Sequence, residues 1–130
     1  MVGWILKKIR NNRGFTLIEL ILVIGVLVII SSIAVPRFLD VQKQAKEDAD
    51  YATGAMIAKA AELYEAKNDN VEDTTADVLI QAGYINGITF KSDKFKDCGP
   101  EDLTINYGVG SVEVIANTSD TSTEILYPRP

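Results

Sequence analysis

The first third of the chain contains one long apolar segment. Residues 15–35 read FTLIELILVIGVLVIISSIAV, and Glu19 is the one charged side chain among them. As a helix, this segment is about 31 Å long, close to the ~30 Å thickness of the hydrocarbon core of a bilayer. A chain of 130 residues has little capacity to cover a helix that is apolar on every side. The pattern therefore predicts a membrane-spanning helix over residues 15–36.

An amphipathic pattern follows Pro36 and predicts that the helix continues to Lys67. Apolar residues recur every three or four positions, at Phe38, Val41, Ala45, Ala49, Ala52, Met56, Ala60 and Leu63. The opposite face carries Lys43, Lys46, Glu47, Asp50, Glu62 and Glu65. We therefore expect the rest of the chain to bury Val41, Ala45, Ala52, Met56, Ala60 and Leu63, and we expect Asp50 to face solvent.

The second half of the chain contains shorter patterns. The pattern over residues 75–83 predicts a short helix that begins at Thr74 or Thr75 and ends at Gly83. Alternating or β-branched runs predict strands at 88–90, 103–107, 111–115 and 123–127, with a hairpin turn at 108–110. The predicted fold class is α+β: a long N-terminal helix, half membrane-spanning and half amphipathic, packed on a small C-terminal antiparallel sheet.

Charge is distributed unevenly along the chain. Residues 1–14 carry four basic side chains and no acidic one, whereas the whole chain has a net charge of −5. The positive-inside rule therefore places the N-terminus in the cytoplasm and the acidic remainder outside. Because the remainder is so acidic, we expect no direct nucleic-acid site.

Several kinds of chemistry are excluded or disfavoured by the composition. The chain has no histidine, which excludes His-based triads and His metal sites, and its single cysteine, Cys98, cannot form an intrachain disulfide. Acidic residues cluster in the 93–102 loop, but lysines alternate with them and their spacing fits no EF-hand. We therefore expect a solvated loop, no metal, no cofactor and no enzymatic activity.

Three interpretations of the N-terminus remain open at this point. Ser32-Ile33-Ala34 resembles a signal-peptidase site, and an uncleaved signal anchor would have the same apolar segment. Neither interpretation explains Glu19. A carboxylate within a membrane helix costs about 2.5–3.5 kcal/mol, and no basic residue lies between residues 15 and 35 to pair with it.

The third interpretation comes from a family resemblance. The run Arg13-Gly14-Phe15-Thr16-Leu17-Ile18-Glu19, between a basic leader and an apolar segment, resembles the class III signal of type IV pilins. The resemblance implies that a prepilin peptidase removes residues 1–14 after Gly14 and that Phe15 becomes N-methylated. It also implies that Glu19 acts in assembly, that the helix bends at Pro36, and that residues 37–130 form an extracytoplasmic globular domain.

The same resemblance implies a structural role. The chain would be a single-pass membrane protein before assembly and part of an extracellular filament for adhesion, motility or DNA uptake afterwards. Its implied partners are the lipid bilayer, identical and minor pilin subunits, the peptidase, and an inner-membrane assembly platform with its ATPase. The new amine of Phe15 would supply the cation that Glu19 lacks. The alternatives are a pseudopilin of a type II secretion or competence system and, in another class, a signal-anchored extracellular binding domain.

Overall fold

A computed structural model of the chain describes residues 14–69, 71–119 and 122–130. The helices are α1 (Leu17–Lys67) and α2 (Ala76–Gln81), and a 3₁₀ turn covers Pro100–Asp102. The strands are β1 (Thr74–Thr75), β2 (Leu103–Gly108), β3 (Ser111–Asn117) and β4 (Thr123–Tyr127). The chain divides into two compact units, of which the first ends at Asp40 and the second is Val41–Pro130. The predicted α+β class is confirmed.

The sheet is antiparallel throughout, with the strand order β1-β2-β3-β4. Gly108 pairs with Ser111 around a two-residue turn, in which Gly110 has a φ of +78° that favours glycine. An irregularity between Val114 and Ile115 shifts the register of β3 against β4. The strands predicted at 103–107, 111–115 and 123–127, and the helix predicted at 75–83, are confirmed apart from the exact ends.

The strand predicted at 88–90 is wrong, and so is the solvent-facing position predicted for Asp50. Residues 88–90 are not in a strand, and Asp50 is only 1% exposed. The carboxylate of Asp50 accepts hydrogen bonds from the backbone N–H groups of Lys91 (2.7 Å) and Ser92 (2.8 Å). The side chain of Asp50 thus holds the backbone of residues 91 and 92 in place. The first strand of the sheet is instead β1, which pairs with Thr104 and Ile105.

The core of the second unit lies between α1, α2 and one face of the sheet. Alternation along the strands directs Leu103 and Ile105 of β2, and Val112, Val114 and Ala116 of β3, into this core. The other buried apolar residues are Ile57, Ala58, Ala60, Ala61, Ala76, Leu79, Phe90, Phe95 and Leu126.

The face of α1 that was predicted to be buried is largely exposed. Val41, Met56 and Leu63 are 63%, 64% and 61% exposed, Ala45 and Ala52 are also exposed, and of the six predicted residues only Ala60 is buried. The buried side of α1 instead carries Asp50, Gly54, Ile57, Ala58, Ala60 and Ala61. At about 100° per residue, the exposed stripe and this buried stripe are centred on nearly opposite sides of the helix.

Small residues explain why the sheet packs on this side. A Cβ atom added at Gly54 would lie 2.8 Å from Cβ and 2.9 Å from the carbonyl oxygen of Leu126. Only glycine permits β4 to approach the helix this closely. The role of Gly54 in packing becomes visible only once Leu126 is in place.

Candidate assembly site

The residues of the predicted cleavage junction lie just before α1. Gly14, Phe15 and Thr16 are exposed and outside regular secondary structure, and Phe15 is 92% exposed. A Cβ atom added at Gly14 would meet nothing within 4 Å. Among the described residues, nothing packs over this junction. The predicted leader is residues 1–14, and all of it except Gly14 lies outside the described residues.

Thr16 and Glu19 form a reciprocal hydrogen-bonded cap at the start of α1. Oε2 of Glu19 accepts hydrogen bonds from the backbone N–H (2.8 Å) and the hydroxyl (2.9 Å) of Thr16. The backbone N–H of Glu19 in turn donates to Oγ1 of Thr16 (3.3 Å). This is the capping box, in which a Thr and a Glu three residues apart satisfy backbone donors that a helix start leaves free.

The capping box gives Glu19 a second role that was missed in the sequence, although the signal Thr-x-x-Glu was present there. The capping box does not use both oxygens of the Glu19 carboxylate. Both bonds from Thr16 go to Oε2, and Oε1 has no hydrogen-bond partner among the described residues. The capping box therefore occupies only one of the two carboxylate oxygens of Glu19.

The apolar half of α1 is not a core helix. Its large apolar side chains from Leu17 to Val35 are between 52% and 78% exposed. Among the described residues, α1 is long and apolar enough to cross a membrane, and no residue of its most apolar 18-residue window is buried. Such a helix needs a bilayer or other helices to cover it.

Pro36 lies inside α1, which is helical on both sides of it. Proline has no N–H group to bond the carbonyl four residues earlier, here that of Ser32. The hydroxyl of Ser32 donates to the carbonyl of Ile29 (2.7 Å). The bend at Pro36 stays a prediction.

The acidic loop is held by contacts within the second unit. The carboxylate of Asp102 accepts from the backbone N–H of Gly99 (2.9 Å), and Lys94 forms an ion pair with Glu124. The hydrogen bond with Glu124 raises the pKa of the Lys94 amine. No group of three or more potential metal-ligating side chains occurs within residues 14–69, 71–119 and 122–130.

Cys98 lies in this loop and is half-buried. Its Sγ is 3.9 Å from the carbonyl oxygen of Asn117, to which it is placed to donate. Burial raises the pKa of the thiol, and the nearby carboxylates of Asp102 and Asp97 raise it further. A thiol held protonated in this way is a poor nucleophile.

Comparison with known proteins gives a match at this same end of the chain. Residues 9–35 match the family model described as "Prokaryotic N-terminal methylation motif". The match includes Gly14, Phe15 and Glu19 and the whole apolar segment of residues 15–35. It confirms the resemblance that these residues suggested.

Three relatives are named as pilus components. The chain is 34% identical over 74 residues to "Type IV wide pilus major component PilA4" of Thermus thermophilus, which is 57% of this chain and 56% of the relative. It is 48% identical over 48 residues to "Type IV narrow pilus major component PilA5" of the same organism, covering 37% of this chain and 41% of the relative.

The third relative is "Type IV major pilin protein PilA" of Myxococcus xanthus, with 32% identity over 63 residues, which is 48% of this chain and 29% of the relative. The chain thus spans about half or less of the length of these relatives. No solved structure matches the chain significantly.

Proposed function

We propose that this chain, whose residues 9–35 match the prokaryotic N-terminal methylation motif, is the precursor of a structural subunit of a type IV pilus. The observation that carries the proposal is the methylation motif at residues 9–35, placed so that Gly14 and Phe15 lie exposed just before an uncovered apolar helix. The relatives are all named as major pilus components, which favours a pilus over a pseudopilus.

The first step of the proposed function is processing in the membrane. A prepilin peptidase cuts after Gly14 and Phe15 receives one methyl group on its new amine. Before assembly, the basic leader lies in the cytoplasm and the acidic second unit lies outside, as the positive-inside rule predicts. Phe15 is then the first residue of the mature chain.

The second step is polymerisation through the apolar half of α1. An assembly platform and its ATPase draw the subunit from the bilayer, and the helices of identical and minor subunits then replace lipid around residues 15–35. The amine of Phe15 pairs with Glu19 of its own or a neighbouring chain. A desolvated ion pair of this kind favours one register over others, because a shifted register leaves both charges unpaired.

Intact-mass analysis of the surface protein tests the proposal. We expect a single species that starts at Phe15 and carries one methyl group, recovered from filaments sheared off the cells. A chain that starts at Met1 would indicate a signal anchor, and one that starts near Val35 would indicate an ordinary signal peptide. Either result would contradict the proposal. Electron microscopy of the sheared material then separates a long pilus from a short pseudopilus.

A further inference from the structure

The segment that follows α2 carries an exposed Asn-Gly pair. Asn86 and Gly87 are both exposed and lie outside regular secondary structure. They form the one Asn-Gly pair in the sequence. Such a pair is typical of the tight turn between two hairpin strands, but this segment runs from α2 to the 3₁₀ turn. The pair is therefore not the turn of a hairpin.

The backbone around this pair is held at its two ends rather than along its length. No backbone hydrogen bond joins residues 85–90 to another described residue. On one side, the backbone N–H of Tyr84 donates to the carbonyl of Leu79 (2.9 Å), and on the other side Phe90 is buried. An exposed segment without backbone hydrogen bonds opens locally at little cost in free energy.

The side chain of Asn86 and the backbone nitrogen of Gly87 are close neighbours with no other polar contact. Neither the side-chain amide of Asn86 nor the N–H of Gly87 makes a hydrogen bond within residues 14–69, 71–119 and 122–130. Gly87 has no side chain that hinders its nitrogen, and a Cβ atom added to it would meet nothing within 4 Å. Nothing in the described structure therefore keeps this nitrogen from the side-chain carbonyl carbon of Asn86.

We propose that Asn86 is a site of spontaneous deamidation, a modification that goes beyond the proposed function and does not depend on it. The backbone nitrogen of Gly87 attacks Cγ of Asn86, and a bond forms between these two atoms while the bond from Cγ to Nδ2 breaks. Ammonia leaves with the proton that the Gly87 nitrogen loses. The product is a five-membered succinimide ring.

Water then opens the ring. It adds to one of the two ring carbonyls, the bond from that carbonyl carbon to the ring nitrogen breaks, and the nitrogen regains a proton. Opening at Cγ gives aspartate, and opening at the backbone carbonyl gives isoaspartate, in which the main chain runs through the former side chain. Both products release a proton and carry a carboxylate, so that the reaction adds one negative charge to a chain of net charge −5.

Three other asparagines of the second unit serve as internal controls. Asn68 and Asn117 donate hydrogen bonds through Nδ2, and Asn106 lies within β2. Each is followed by a residue that has a side chain, which hinders attack by the next backbone nitrogen. We therefore expect each of the three to react more slowly than Asn86.

The first experiment ages the purified full chain in detergent micelles, in mildly alkaline buffer, and follows its peptides by mass spectrometry. We expect Asn86 to convert to aspartate and isoaspartate about tenfold faster than Asn68, Asn106 or Asn117, which corresponds to about 1.4 kcal/mol in the barrier. A rate at Asn86 no greater than at the three controls would overturn the inference. Aspartate without isoaspartate would also contradict it, because direct hydrolysis by water gives aspartate alone.

The second experiment uses variants of the same full chain, separated by isoelectric focusing. Asn86→Gln retains an amide but reacts slowly, because attack by the next nitrogen would have to form a six-membered ring. Asn86→Asp carries the charge of the product from the start. Position 86 is exposed, so that both variants should fold as the wild type does.

We expect the aged wild-type chain to acquire a more acidic band that migrates with Asn86→Asp. Asn86→Gln, aged in the same way, should acquire far less of such a band. An equally strong acidic band from Asn86→Gln would assign the new charge to another residue and overturn the inference.

Discussion

The carboxylate of Asp50, in α1, accepts a 2.8 Å hydrogen bond from the backbone N–H of Ser92, 42 residues later in the chain. The same carboxylate accepts from Lys91, and Asp50 is 1% exposed. A buried carboxylate is costly unless hydrogen bonds compensate for its lost hydration. Two backbone donors supply that compensation here and connect the loop before β2 to α1.

We expect Asp50→Asn to destabilise the second unit by about 1–3 kcal/mol, because its amide retains one good acceptor where two are needed and leaves a buried N–H unsatisfied. Thermal unfolding of the full chain in detergent micelles measures the loss. Asp93→Asn is the control, since Asp93 is exposed in the same loop. Equal melting temperatures for the two variants would contradict the anchoring role of Asp50.

Gly54→Ala tests the close approach between α1 and β4. In an open helix Ala is favoured over Gly by about 1 kcal/mol. Here its Cβ would lie within 3 Å of Leu126, whose backbone carbonyl cannot move away independently. Overpacking of this kind costs about 1–3 kcal/mol, so that we expect a net loss of stability.

Ala52→Gly, at an exposed position two residues earlier, measures the helix propensity by itself. If the contact between Gly54 and β4 had no effect on stability, Gly54→Ala would stabilise the chain by about as much as Ala52→Gly destabilises it. A gain in melting temperature from Gly54→Ala would therefore show that β4 does not pack on this residue.

Substitutions of Glu19 separate its capping role from its proposed role in filament assembly. Gln at this position retains an oxygen for the capping box but has no charge, whereas Ala has neither. We expect both variants to insert in the membrane and to be cleaved after Gly14, and both to fail in filament assembly, because loss of one member of a desolvated ion pair costs about 3–5 kcal/mol. Membrane fractionation and quantified sheared filaments measure the two steps.

Thr16→Val is the matched control for the cap, because it removes the hydroxyl that bonds Glu19 and retains the charge of Glu19. We expect it to assemble better than Glu19→Gln. If Glu19→Gln assembles normally while Thr16→Val does not, capping rather than ion pairing is the role of Glu19 in the filament.

Cys98 should be unreactive and dispensable. Burial and the carboxylates of Asp102 and Asp97 raise the pKa of its thiol in the folded chain. The protonated thiol of Cys98 therefore makes its full contribution to the free energy of unfolding below the unfolded-state pKa of about 8.5. This contribution is lost as the pH rises through the higher folded-state pKa. At pH 9, alkylation by iodoacetamide should be slower in the folded chain than in the denatured chain.

Cys98→Ser retains a donor for the carbonyl of Asn117 and should change stability by only about 0.5 kcal/mol. Filament yield should also be unchanged. Alkylation of the folded chain as fast as that of the denatured chain would show that the thiol is accessible and would contradict this prediction. An interchain disulfide in native filaments would do the same.

The N-terminal features and most element types follow from local patterns that the sequence itself contains. An apolar segment of bilayer length, a basic leader and the run from Gly14 to Glu19 are read from consecutive residues, and they need no partner to be recognised. The hairpin at Gly108–Ser111 is likewise set by its own turn residues. For this reason the fold class and the resemblance to type IV pilins were predictable.

Tertiary structure decided which face of α1 is buried. Both faces have helical spacing, and the exposed one carries the larger apolar residues, such as Met56 and Leu63, so that periodicity alone favoured the wrong face. The sheet packs on the other face because Gly54 admits Leu126 and because Asp50 meets two backbone donors. Both contacts join residues that are more than 40 positions apart in the sequence. For this reason, local sequence patterns could not show which face of α1 is buried.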